Sequence, residues 1–175
     1  MLSCTSSYYL LTIGTSSKNI HVVYINMYSK TSQVNSQFSH YGSKDFNIKQ
    51  HWKMNLIMAC LLLKVKVLYM DSDIYLLRNP LPFFENYHNL DFVAQEDMHC
   101  ICAGFAFFWP TVSTIKMLDV ARDIRPIQGK DDQDAINAIV KIIKDIHYQF
   151  LPSSLFMSGD IFFNYYQHSW DLQSK

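Results

Sequence analysis

The sequence predicts a three-layer α/β domain around a mostly parallel sheet. Three features carry that expectation: apolar runs of strand length, apolar residues recurring at three and four between them, and the alternation of the two patterns. At 175 residues and 20.5 kDa, nearly half apolar, the chain is long enough to bury a core as one domain or part of a larger one. No internal repeat or linker interrupts it, so it reads as one domain.

Residues 1–19 are Ser/Thr-rich around a short apolar patch. "NIHVVYINMY" (19–28) reads as a strand from its β-branched residues, and the polar stretch from Ser29 to Lys44 as a loop. From Phe46 to Leu63, helical spacing places Trp52, Leu56, Ala59, Cys60 and Leu63 on one buried face. Val65 to Met70 is a continuous apolar run and reads as a central strand. "DFVAQED" (91–97) and "GFAFFW" (104–109) are further strands. "TVSTIKMLDVARDI" (111–124) is a helix with Val112, Ile115, Leu118 and Ala121 inward. "DDQDAINAIVKIIKDI" (131–146) opens on aspartates suited to a helix N-terminus and carries Ile136, Ile139, Ile143 and Ile146 on one face. "YQFLP" (148–152) is a last strand.

Fifteen basic residues balance fifteen acidic ones, so no charged stripe points to nucleic acid or a membrane surface. No run reaches the roughly 18–20 apolar residues of a membrane span. "MNLIMACLLL" (54–63) has the length of a buried helix and is bracketed by Lys53 and Lys64. The N-terminus has no basic region or cleavage site of a signal peptide. Cys4, Cys60, Cys100 and Cys102 are too scattered for a disulfide framework, and Cys100-Ile101-Cys102 is too tight for half a zinc site. Cys60 reads as a buried thiol; Cys100 and Cys102 read as small thiols or as cysteines able to pair elsewhere.

The chemistry-bearing feature is "VLYMDSDIYLL". Asp71 and Asp73 follow the central strand, where α/β sheets place their ligands. Two residues apart on an extended segment, both carboxylates point one way. Like charges so close call for a hard divalent cation, which keeps coordination positions for water and substrate phosphates. The alternative is a solvated turn, in which Asp-x-Asp is common.

The segment "VLYMDSDIYLLRNPLPFF" resembles the central signature of the nucleotide-diphospho-sugar transferases, in particular glycosyltransferase family 77, with its GT-A fold. The likeness runs in order through the Lys53 helix, "DFVAQED", "CAGFAFFWPTVSTIKML", "DDQDAINAIV" and "FLPSSLFMSGDIFF", over roughly residues 41–163. It divides the chain into an atypical segment, 1–40, and a partial GT-A-like domain, 41–175. It implies that Asp71 and Asp73 bind the metal and diphosphate, with Mn2+ or Mg2+ as cofactor. Asp132 and Gln133 would face the donor sugar, and Gly104 would let the backbone approach the donor. The implied partners are a nucleotide-sugar donor, with uridine diphosphate expected, and a glycan or glycoprotein acceptor. The implied setting is the Golgi, with membrane association only through a missing N-terminal anchor.

Cys102 stands where the family tends to have Asn. The opening strand and helix of the family are not recognisable in residues 1–40, and the later histidine that completes its metal site is not matched by His168 or Trp170. The chain is therefore expected to be clipped at both ends, which keeps a non-catalytic relative open as a reading. A haloacid-dehalogenase-like phosphatase is the other rival, from the Asp-x-Asp and from "SGDIFFN" (158–164), although Tyr75 stands where that class would begin a helix.

Overall fold

A computed structural model of the chain describes the backbone of residues 8–16, 19–26, 44–71, 73–128 and 131–163. In order, the elements are β1 (Tyr8–Ser16), β2 (Asn19–Asn26), α1 (Lys44–Leu62), β3 (Lys66–Met70) and α2 (Leu81–Phe84) with the 3-10 turn Glu85–Tyr87. Then come β4 (Phe92–Asp97), β5 (Cys100–Phe108), α3 (Val112–Gln128), α4 (Asp132–Val140) and β6 (Tyr148–Phe150). The loop expected at Ser29 to Lys44 lies, up to residue 43, outside the described residues, as do Cys4, His168 and Trp170 and the side chain of Trp52.

The strands form one six-stranded sheet in the order β2-β1-β3-β5-β4-β6. It is not mostly parallel, which corrects the sequence expectation. β1–β2, β1–β3, β3–β5 and β4–β5 are antiparallel, and only β4–β6 is parallel. A parallel partner needs a long crossover. β1–β2 and β4–β5 are each joined by two residues, and only α3 and α4 supply a helical connection that ends in a parallel pair. β1 was not legible as a strand, yet it pairs along β3 from Leu10↔Met70 to Gly14↔Lys66 and so makes β3 central.

β3 is buried on both faces, which explains its unbroken apolar run. Val67 and Tyr69 join Phe92, Ala94, Ala106 and Phe108 in the core under α1, α3 and α4. Leu68 and Met70 join Val93, Phe105, Phe107 and Trp109 in the core on the other face. Strict alternation thus feeds two cores from the same strands. The second is closed by Phe84 of α2, whose ring stacks on Phe107 at 4.6 Å, and by Leu151 and Phe156. The three layers are present, one of them thin.

The inward face of α1 is Met54, Ile57, Met58 and Leu61, with Cys60 beside it and Leu56 partly buried. Leu63 was expected on that face and is instead 77% exposed, because the helix has already ended. Lys64 adopts φ 63°, its N–H donates to Leu61 O at 2.9 Å, and the Val65 N–H donates to Cys60 O at 3.1 Å. That is a Schellman stop, with lysine at the left-handed position glycine usually fills. It turns the chain into β3.

In α3 the buried face is Thr114, Met117, Leu118 and Ala121, while Val112 is exposed. Thr111 caps this helix, accepting the Thr114 N–H at 3.1 Å. α4 stops at Val140, short of the expected 146, yet Ile143 and Ile146 still pack into the same core.

Candidate active site

Four elements meet beyond the carboxyl end of β3. The Asp71 N–H extends the β3–β5 ladder by one residue, donating to Gly104 O at 2.8 Å. The chain then turns, with the Ile74 N–H donating to Asp71 O at 3.2 Å. The aspartate pair therefore lies on a turn and not on an extended run. Asp71 is half-buried and Asp73 is exposed.

The two oxygens of Asp71 have different surroundings. Tyr69 donates its hydroxyl to Oδ1, and Lys53 Nζ lies 3.5 Å from the same oxygen. Oδ2 lies over Gly104: a Cβ built there would stand 2.7 Å from it, and 3.5 Å from Cys102 Sγ. A glycine at 104 is thus what leaves space for this carboxylate.

Lys53 comes from the middle of α1 and is only 4% exposed. Its ammonium is 2.6 Å from Asp132 Oδ2 and lies over the Tyr69 ring at 4.2 Å from its centroid. The Asp132 contact lacks hydrogen-bond alignment, so it is a Coulombic pairing. Burial of a lysine requires such partners. The helix-start role considered for Asp132 falls instead to Asp131, which accepts the Asp134 N–H at 2.8 Å. Asp132 follows it, 4% exposed.

Gln133 is held on both sides. Its Oε1 accepts the Ala103 N–H at 3.1 Å, and its Nε2 donates to Asp97 Oδ2 at 3.2 Å. One turn on, Asn137 accepts the Ile101 N–H at 2.8 Å and donates to Ile101 O at 2.9 Å. β3 pairs with β5 only from Phe105 onward, so these side chains satisfy the backbone along the edge of β5 that β3 leaves open, while the opposite edge pairs with β4. Cys102 lies on this stretch. Burial pushes its thiol above the ordinary range, and the nearby charges of Asp97 and Asp71 add to that shift. Among the described residues Cys60, Cys100 and Cys102 are all free thiols.

Asp71, Gly104, Asp132 and Gln133 are therefore brought to one place, with Asp73 on its solvent side. Sequence reasoning gave no role to Lys53, Tyr69, Asp97 or Asn137. Lys53 had a signal: a charge one residue from Met54 and four from Ile57, on the edge of an apolar helical stripe. Asn137 had one too, four residues after Gln133.

A polar cluster beyond the carboxyl end of a central strand is where α/β proteins place ligand sites, and fold and cluster together define that class. The family model for nucleotide-diphospho-sugar transferases matches residues 12–174, and the chain belongs to that family. The activity of this family is transfer from a nucleotide-diphospho-sugar, and the mixed α/β architecture is compatible with its GT-A-like fold. The assignment displaces the phosphatase reading. No curated protein and no solved structure matches the chain significantly.

Proposed function

We propose that this chain transfers a sugar from a uridine-diphosphate sugar to a hydroxyl of a glycan or glycoprotein, with manganese or magnesium held at Asp71 and Asp73. The observation that carries this reading is the division of labour within Asp71: Oδ1 is held by Tyr69 and Lys53, while Oδ2 lies in the space that Gly104 leaves.

The donor set suits a hard cation, being carboxylate oxygen alone. Among the described residues no group of three or more His, Cys, Asp or Glu side chains gathers for a metal. Diphosphate oxygens and water would complete the shell, as is usual for ions that bridge protein and phosphate. When bound, the ion neutralises charge on the departing diphosphate. Asp132 and Gln133 form the donor-sugar side of the site in this reading. Asp132 fixes the lysine behind Asp71, and Gln133 fixes the backbone at Ala103, so the geometry is set before the donor arrives. The compartment that accompanies this reading is the Golgi. No described helix is long and apolar enough to cross a membrane.

The test is release of uridine diphosphate from a panel of uridine-diphosphate sugars, with manganese and with candidate glycan acceptors. Metal-dependent release with at least one donor is the expected result. Binding of uridine diphosphate without release from any donor would favour a non-catalytic binding protein.

A further inference from the structure

We propose that Lys53 and Tyr69 are positioning residues that hold Asp71 from behind, so that this carboxylate meets its ligand through Oδ2 alone. The inference rests on the reading of Asp71 as a metal–diphosphate contact and deepens it, by assigning the control of ligand affinity to two side chains that do not themselves touch the ligand.

A lysine 4% exposed is costly unless its charge is compensated. Compensating Asp132 alone would place the ammonium near α4 only. Instead the Lys53 Nζ also reaches Asp71 Oδ1 at 3.5 Å and sits over the Tyr69 ring at 4.2 Å. The Tyr69 hydroxyl donates to that same Oδ1. Two groups from two elements, α1 and β3, thus converge on one oxygen of one carboxylate. The other oxygen is directed to Gly104, where a side chain would collide with it. Partial rotation of the carboxylate would break both contacts to Oδ1, so they hold its plane with one oxygen turned inward and the other toward the Gly104 side. Partners behind a metal-ligating group typically govern metal affinity by about 10–100-fold.

The charge arithmetic gives a clean test. Lys53→Met alone leaves Asp132 buried without a counter-ion, and the thermal midpoint should fall sharply. Lys53→Met combined with Asp132→Asn removes one positive and one negative charge, so the net charge beside Asp71 is unchanged and the midpoint should largely recover. Calorimetric titration of this double variant with manganese and uridine diphosphate should nonetheless show affinity about 10–100-fold below the parent. Tyr69→Phe removes the second contact with no change of charge and should lower affinity in the same direction at a near-parent midpoint. If the double variant or Tyr69→Phe binds as tightly as the parent, Asp71 needs no such support and the proposal fails. A parent chain that binds no manganese–uridine diphosphate overturns the metal reading of Asp71 itself, a separate result from equal binding by parent and variant.

Discussion

Asp71 and Gly104 face each other across the β3–β5 ladder, with the Asp71 amide 2.8 Å from the Gly104 carbonyl and Asp71 Oδ2 2.7 Å from where a residue-104 Cβ would stand. The backbone contact fixes the strand end. The side-chain contact makes residue 104 part of the acidic site although it has no side chain.

Gly104→Ala follows directly. The atom in the way is the end of a side chain and can move, so the stability cost should be small, about 1 kcal/mol. That movement displaces Oδ2. Affinity for manganese and uridine diphosphate should fall by at least about tenfold, the scale of a disturbed outer shell. Urea melts and calorimetry measure the two quantities separately.

Lys64→Gly should stabilise the fold. Lysine at φ 63° carries a left-handed penalty of about 1–2 kcal/mol that glycine lacks, partly offset by the greater freedom of glycine in the unfolded chain. A net gain of roughly 0.5–1 kcal/mol in urea denaturation is expected.

Two leucines separate the real face of α1 from the expected one. Leu61 has no exposed surface, and Leu61→Ala should cost about 2–5 kcal/mol. Leu63 is 77% exposed, and Leu63→Ala should stay within about 0.5 kcal/mol of the parent. Chemical denaturation of the pair reads the difference.

The fold was legible where one element decides its own pattern. β3, β4, β5 and the three long helices were visible because two covering layers make strands apolar throughout and helices periodic. Strand direction was not visible, since it depends on connection length and on β1, whose apolar patch is short and flanked by Ser and Thr on both sides. Helix faces slipped for a similar reason: Lys64 ends α1 without the glycine that usually announces a stop. In the site, Asp71, Gly104, Asp132 and Gln133 could be named from motif order. Lys53 could not be assigned, because only the crossing of α1 over β3 and α4 gives a lysine two aspartates. Single-element patterns carry no such information.

Cys102 should be a slow thiol. Burial is the first cause of its raised pKa, so at any given pH less thiolate is present than in a free cysteine. Its alkylation by iodoacetamide, followed by peptide mass spectrometry, should rise with pH along a curve displaced to the alkaline side of that of a free cysteine peptide. Coincident curves would contradict this.

The central claim is that the aspartate pair holds a divalent ion with a nucleoside diphosphate, and Asp73→Asn tests it most directly. Asp73 is exposed, so the substitution should leave the thermal midpoint unchanged. Calorimetry should show saturable, manganese-dependent binding of uridine diphosphate by the parent. In the variant that binding should weaken by more than the about 10–100-fold that outer-shell partners cost. Equal affinity in the two proteins would contradict the metal–diphosphate role of the pair.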